Sequence, residues 1–410
     1  MKLSKVKINE KMEKQNISTF SELSNKLGIT KNQMSVMLSD NYTPIKKRVE
    51  QLCQLLDVNI TEIIDVNLNT CPVNINENDV TAIELFAGAG GLALGLEQAG
   101  IKTVKHVEID PYCCETLKKN RPFWNIECND IKNIDFTNYK NKIDIVTGGF
   151  PCQAFSYAGK KLGFSDVRGT LFYEFARCVK EVKPKIFMAE NVRGLISHDN
   201  GRTLSTIIDV FSDLEYDVQY KVLNSAFFGV GQKRERIVII GIDKNLDIEF
   251  NYPSPSNRMT TLKEALKNCP KSDGVEYSES KKEVLRLIPP GGCWTDLPTD
   301  IAKSYMGKSF FSGGGRRGMA RRISWKEPCL TLTCSPSQKQ TERCHPDETR
   351  PFTVREYARI QSFPDTWEFC GSLTNQYKQI GNAVPVELAR RIGIQLKECI
   401  MLYRNNKRKT

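Results

Sequence analysis

TAIELFAGAGGLALGLEQAG, Thr81 to Gly100, decides how this chain folds. An apolar run of strand length is followed by Phe86-Ala87-Gly88-Ala89-Gly90-Gly91, and then by apolar residues at helical spacing. The glycines permit a tight turn and let a ligand approach the backbone closely. The same alternation continues downstream: Lys102–Ile109 reads as strand, Cys113–Asn120 as helix and Lys142–Gly148 as strand. Strands alternating with helices predict a doubly wound α/β sheet.

The composition agrees with a large core. The chain has 410 residues, 40% of them hydrophobic. No apolar run approaches the length of a membrane span and no signal-peptide pattern opens the sequence, so a soluble, cytoplasmic protein without a membrane partner is expected. The 14 cysteines are irregularly spaced with no CxxC pair, and there are only three histidines (His106, His198, His345). That pattern argues against a zinc site or a secreted disulfide framework. A net charge of +11 favours a polyanionic partner.

Residues 1–66 read as a small all-helical unit. Thr19 to Glu22 fits a capping box, Phe20, Leu23 and Leu27 give an apolar stripe, and Gly28 ends that helix. Thr30 caps a second helix and a third runs from about Ile45 to Leu56. Two short helices across a glycine turn suggest a helix-turn-helix, with Lys31, Asn32, Gln33 and Ser35 facing a DNA major groove. The alternative is a bundle used only for packing. Residues 67–80 read as a linker. Residues 251–350 break the α/β alternation and are rich in Pro, Gly, Ser and basic residues, which suggests a separate small mixed domain. Its Lys308–Lys326 stretch holds six basic residues and no acidic one, together with Phe310, Phe311 and a glycine run. Bases and phosphates would use those ingredients, as would a solvated surface loop.

Several constellations carry chemistry. Glu108 ends the strand after the glycine loop, where an acid commonly accepts ribose hydroxyls. Asp130 ends a third strand, where a carboxylate could take an adenine amino group. Each acid could equally be an ordinary strand-end charge. GGFPCQAFSYAGK, Gly148 to Lys160, puts Cys152 on a stiffened turn at the carboxyl edge of the sheet, where doubly wound folds bind ligands. A thiol there suits a nucleophile, once activated. Glu190, at the end of the strand Lys185–Ala189, is the best-placed acid. Gln232, Arg234 and Arg236 would share one side of an extended segment and suit a phosphate or a carbonyl oxygen. Gly381 to Pro385 reads only as a turn.

The order FAGAGG, GGFPCQ, ENVRG, QKRER, RIQSFP and GNAVP resembles the bacterial cytosine-5 DNA methyltransferases over about residues 81–400, the 251–350 segment aside. One departure is Glu84, where Asp is more usual. The resemblance implies a Rossmann-like sheet that binds S-adenosylmethionine, lined by Phe86, Gly88, Gly90, Gly91, Glu108, Ile109, Asp130, Ile131, Gly149, Pro151, Leu171, Asn382 and Val384. It implies Cys152 as the nucleophile toward carbon 6 of a flipped-out cytosine, with Glu190 engaging ring N3 and Arg236, helped by Arg234, orienting the base. Residues 153–169 would close over the base. The remainder, residues 351–410, would complete the catalytic domain of 81–250, and 251–350 would read a short site in double-stranded DNA. Gln153, Ser156, Gln232, Arg316, Arg317, Arg321 and Arg322 would contact DNA. The N-terminal unit resembles the Cro/CI-type helix-turn-helix, which implies operator binding. The architecture suggests a restriction-modification system, with a cognate endonuclease as functional partner. An RNA methyltransferase of the same superfamily, a regulator with an inactive enzyme domain and a nicotinamide dehydrogenase are the competing readings. Reading duplex DNA gives both the helix-turn-helix and the basic segment a use.

Overall fold

The computed structural model describes residues 3–15, 17–39, 46–58, 62–63, 76, 78–151, 171–311 and 318–407. The chain divides into two compact units, Met1–Asn74 and Ile75–Thr410.

The first unit packs α1 (Lys5–Lys14), α2 (Phe20–Lys26), α3 (Lys31–Met37) and α4 (Lys46–Leu56) around one core that includes Ile8, Met12, Leu23, Met34, Met37, Val49, Leu52 and Leu56. The helix α1 lies ahead of the two short helices expected from the glycine turn. Gly28 has a φ of 63° and breaks the chain between α2 and α3. Thr30 and Gln33 form a complete capping box on α3. At α2 only half of the box forms: Thr19 accepts the Glu22 N–H, while the Glu22 carboxylate takes the N–H of Ser18 instead.

In the second unit a seven-stranded sheet holds β1 (Val80–Leu85), β2 (Ile101–Glu108), β3 (Ile126–Cys128), β4 (Ile145–Gly148), β5 (Ile186–Val192), β6 (Tyr216–Asn224) and β8 (Glu235–Asp243). A two-residue strand β7 (Gln232–Lys233) pairs outside it with β9 (Cys329–Leu330). The order across the sheet is β3-β2-β1-β4-β5-β8-β6. Strands β1 to β5 are mutually parallel and β8 runs against both neighbours. The strand order reverses between β1 and β4, so a crevice opens beyond their carboxyl ends.

The helices of this unit are α5 (Gly91–Gln98), α6 (Pro111–Asn120), α7 (Leu171–Val182), α8 (Arg202–Asp213), α9 (Leu262–Ala265), α10 (Glu279–Arg286), α11 (Thr299–Met306), α12 (Val354–Ile360), α13 (Leu373–Asn382) and α14 (Val386–Lys407). Alternate strand residues feed opposite faces. Ile83, Leu85, Val146 and Phe187 pack with Phe175 and Phe211 of α7 and α8. Ala82, Ile145, Ile186 and Met188 pack with Leu92 and Leu96 of α5 and with Leu388, Ile392 and Leu396 of α14. The sheet is therefore covered on both sides, as a parallel sheet requires. A small separate core of Tyr277, Leu285, Ile288, Leu297, Ala302, Ala320 and Cys344 lies within the 251–350 segment. Leu262, Ile323, Cys329 and Leu332 of that segment join the α12–α13 core instead. Among the described residues no helix is long and apolar enough to cross a membrane.

Candidate active site

The parallel register brings the ends of β1, β2, β3 and β4 to one edge. Leu85 lies opposite Val107 and Gly148, and Glu108 opposite Cys128. Phe86 leaves β1 with a φ of 57°, an uncommon conformation for a bulky residue. Gly88 and Gly90 continue the turn at φ 55° and 85°. Three groups fix the loop. The Ala87 N–H donates to the Val107 carbonyl at 3.1 Å, the Gly88 N–H to Glu108 Oε2 at 2.6 Å, and Trp367 Nε1 to the Ala89 carbonyl at 3.2 Å. Glu108 Oε1 also accepts from the N–H groups of Ile109 and Asp110. Three of its roughly four acceptor positions are thus taken, which leaves room for about one further donor.

The carboxyl-terminal turn closes against this loop. A methyl group built on Gly91 would lie 2.2 Å from the Val384 carbonyl oxygen, and one on Gly95 would lie 2.4 Å from Ala389 Cβ. Only glycine lets α5 sit this close to the Ala383-Val384-Pro385 turn and α14. Asn382, exposed at the end of α13, is held by a Cys334 Sγ–H donating to its Oδ1 at 2.9 Å.

The second half of the edge is built from β4, β5 and β8. Asn191 Nδ2 donates to the Phe150 carbonyl at 2.9 Å and so pins the chain leaving β4. Glu190 is 9% exposed, and its Oε1 pairs with Arg236 Nε at 2.9 Å. A methyl on Gly149 would come within 3.2 Å of Glu190 Oε2, so a side chain there would press on the carboxylate. Beside this pair, Arg193 reaches Glu235 at 2.7 Å.

The buried Glu190–Arg236 pair and the glycine-rich loop thus both lie at the carboxyl edge of the parallel strands. Residues 80–398 match the family of C-5 cytosine-specific DNA methylases, and residues 7–68 match the Cro/C1-type helix-turn-helix DNA-binding domain. The chain belongs to the C-5 cytosine-specific DNA methylases. It is 54% identical to the Type II methyltransferase M.Sau96I of Staphylococcus aureus, over 97% of this chain and 98% of that one. It is 58% identical to the Type II methyltransferase M.Eco47II of Escherichia coli, over 78% of this chain and 79% of that one. A solved structure described as a prophage-encoded DNA modification methyltransferase superposes with a TM-score of 0.58 at 26% identity, covering 78% of this chain and 99% of that one. A DNMT2 structure from Spodoptera frugiperda shares the fold at a TM-score of 0.56 and 18% identity, with the same coverage.

The methyltransferase transfers a methyl group from S-adenosylmethionine to carbon 5 of cytosine in DNA. Its glycine edge fits that donor. A methyl built on Gly88 would meet nothing within 4 Å, the Glu108 carboxylate borders the loop, and Ile109 offers an apolar side chain that is 64% exposed. Asp130 caps a short 3-10 turn, Ile131–Asn133, through Oδ1, which accepts the Lys132 N–H. The Ile131 side chain is buried in the core, so its expected contact would be through main-chain atoms. Leu171 begins α7 and is partly buried. Pro151, exposed, ends the described chain at this edge. Cys152, Gln153, Ser156, Arg316 and Arg317, with the whole of 152–170, lie outside the described residues.

Four expected contacts turn out differently. The segment around Arg234 is not one extended strand, because β7 and β8 belong to separate sheets. Gln232 is fully buried: its Nε2 donates to Gln361 Oε1 at 3.1 Å and its Oε1 accepts the Leu332 N–H at 2.8 Å. Arg234 is buried too, and donates to the carbonyls of Leu332 and Gly381 at 3.3 and 3.0 Å. Burial, with the neighbouring Arg236, lowers its pKa to about 9, so it keeps its charge at neutral pH. Arg322 is buried among the carbonyls of Leu285, His345, Pro346 and Glu348, and Arg321 donates to the Gly291 carbonyl. Gln232, Arg234 and Arg322 are thus buried and bonded to the protein's own groups, and the partly buried Arg321 is bonded to a backbone carbonyl. Of Gln232, Arg234 and Arg236, Arg236 is the one that pairs with Glu190.

Residues missed in the sequence complete the site. Gln361 donates to the carbonyls of Ile380 and Ala383, and so couples the RIQSFP stretch, Gln232 and the GNAVP turn. Trp367 backs the glycine loop. In the N-terminal unit Lys31, Asn32, Gln33 and Ser35 are all exposed on α3, while Met34 and Met37 face the core.

Proposed function

We propose that this methyltransferase is the modification enzyme of a Type II restriction-modification system, acting in the cytoplasm on a short double-stranded site and protecting it from a cognate endonuclease. The observation that carries the catalytic reading is the Glu190–Arg236 pair, held beside Gly149 one turn from Cys152 in sequence. Bound S-adenosylmethionine supplies an electrophilic methyl group on sulfonium. Phe86, Gly88, Gly90, Gly91, Glu108, Ile109, Asp130, Ile131, Gly149, Pro151, Leu171, Asn382 and Val384 would border it.

Carbon 5 of cytosine is a weak nucleophile. The Cys152 thiolate adds to carbon 6 of the flipped base and forms a C–S bond, while Glu190, holding a proton when the base is bound, gives it to ring N3 and is left as the carboxylate paired with Arg236. The ring electrons are thereby made available at carbon 5. Arg236 orients the Glu190 carboxyl group for this transfer and stabilises the carboxylate that it leaves. Carbon 5 takes the methyl group and the donor leaves as a neutral thioether; the carbon-5 proton then passes to solvent, ring N3 returns its proton to the Glu190 carboxylate, and the restored double bond expels the Cys152 thiolate. The 251–350 segment would select the site. The N-terminal unit, through Lys31, Asn32, Gln33 and Ser35, would repress the enzyme's own promoter.

Bisulfite sequencing of DNA from a methylation-free host tests this reading. Cytosines at one short motif should be protected by the wild-type chain and unprotected with Cys152→Ala. Retained protection in the variant would end the covalent mechanism. No protected cytosine with either chain would turn attention to tRNA. Deleting residues 1–66 should leave the protection intact and release a promoter reporter.

A further inference from the structure

Helix α11 runs into a 3-10 turn, Gly307–Phe311, at the start of the basic stretch of the 251–350 segment. Phe311 is 77% exposed, the most exposed large hydrophobic side chain among the described residues. A single exposed apolar residue is ordinary. This one, however, is mounted. Its ring packs edge-on against Phe310 at 5.3 Å, and Phe310 packs edge-on against Trp294 at 5.7 Å. The Lys303 ammonium lies 6.0 Å from the Phe310 ring centre.

The support beneath is stiff. Tyr305 of α11 donates its hydroxyl to the fully buried Glu342 carboxylate at 2.7 and 2.9 Å. Glu342 also accepts the Ala320 N–H at 2.9 Å and pairs with Lys281. Ala320 lies just beyond Arg316 and Arg317 in sequence. One buried carboxylate therefore anchors the chain at Tyr305, ahead of the basic stretch, and again at Ala320 within it. A projecting aromatic ring could serve a second copy of the chain or a nucleic acid, and charge decides between them. Lys303 lies over the supporting Phe310 ring, Lys308 is three residues from Phe311 in sequence, and no acid occurs from Lys308 to Lys326. Two such surfaces would repel each other, whereas a duplex would be drawn in.

We propose that Phe311 stacks into a base step of the target duplex, propped by Phe310 and Trp294, as the wedge that opens the DNA at the recognition site. This rests on the reading of 251–350 as the site-selecting segment. Apolar side chains inserted at a base step partly unstack it, and aromatic–base stacking is lost on truncation to alanine.

The test uses the full-length chain and a duplex carrying the motif mapped by bisulfite sequencing. 2-Aminopurine replaces, in turn, each purine flanking the target cytosine. The wild type should raise fluorescence at one flanking position. Phe311→Ala should abolish that signal and raise the KM for DNA by about tenfold to a hundredfold, the range that loss of one stacked base gives. The KM for S-adenosylmethionine and the salt dependence should stay unchanged, because no charge is removed. Phe311→Trp should restore both signal and KM. Because Phe311 is mostly solvated, neither variant should alter the melting temperature. Wild-type KM and fluorescence in Phe311→Ala would overturn the proposal, as would a dimer that the substitution dissociates. If exchanging residues 251–350 for those of a relative with a different site left the methylated motif unchanged, the reading of the segment itself would fall, and the wedge with it.

Discussion

Replacing Arg236 with alanine isolates the contact on which the catalytic reading depends. Arg236 Nε and Glu190 Oε1 are 2.9 Å apart, and both side chains are about nine-tenths buried. Such a pair is screened little by water. Removing one partner from a buried pair strands the other and costs roughly 3 kcal/mol or more. If that loss falls on the orientation of the carboxylate in the transition state, kcat drops by about two decades, at 1.36 kcal/mol per tenfold. The KM for S-adenosylmethionine should hold, since Arg236 touches no part of the glycine loop or its Glu108 brace. The assay is tritium transfer from labelled donor to DNA at saturating DNA, with melting temperature measured in parallel. Arg236→Lys should recover part of the rate because the charge remains. The decisive comparison adds Glu190→Gln. If Arg236 acts through Glu190, the double variant is no slower than Glu190→Gln alone. A single variant within threefold of wild type, or a double variant slower by the product of both effects, would refute the argument.

Two other outcomes follow from buried carboxyl and imidazole groups. Glu108 accepts three backbone N–H groups at the cofactor edge, so Glu108→Ala should raise the KM for S-adenosylmethionine at least tenfold while sparing the KM for DNA; equal changes in both would show a general collapse instead. His106 is fully buried, and desolvation lowers its pKa to about 3, while burial raises the carboxyl of Glu84, 4.0 Å away, well above its usual range. Burial disfavours the charged form of each, and so works against an ion pair between them. The unfolded chain takes up the His106 proton first, near pH 6.5, so this residue's contribution to stability is full above 6.5 and declines toward pH 3. At pH 5 the loss is about 2 kcal/mol. His106→Phe keeps the stack on Trp124 and should flatten the fall in melting temperature between pH 6.5 and 5, measured by scanning calorimetry; an unchanged profile would assign that fall to other groups.

The alternation from Thr81 onward was legible as a covered parallel sheet because parallel strands are apolar on both faces and helices are not. The glycine loop was legible because its backbone needs positive φ at Gly88 and Gly90. What could not be read was which members of a charged run turn inward. QKRER looks alike at each arginine, yet the chain changes sheets at Arg234. That break buries Arg234 against two carbonyls and sends Arg236 to Glu190. The basic stretch misled in the same way: Arg321 and Arg322 satisfy backbone carbonyls left without partners where the 251–350 segment has little regular structure.

The GNAVP turn shows why a local reading falls short at such a site. Taken alone it is a bend before a helix. In the fold its Val384 carbonyl lies against Gly91, and Gln361 holds the carbonyls of Ile380 and Ala383 on either side of Gly381 and Asn382. Gly381 itself has no room for a methyl, which would sit 2.5 Å from the Thr333 carbonyl oxygen. Glycine is thus required at Gly91 by a turn almost three hundred residues away, and at Gly381 by Thr333. The cofactor edge is assembled from both ends of the second unit, and the 251–350 segment is threaded between them through Leu332 and Thr333. A change in that segment that shifts Thr333 would therefore reach Gly381 and Asn382, and through the Val384 carbonyl the glycine loop at Gly91.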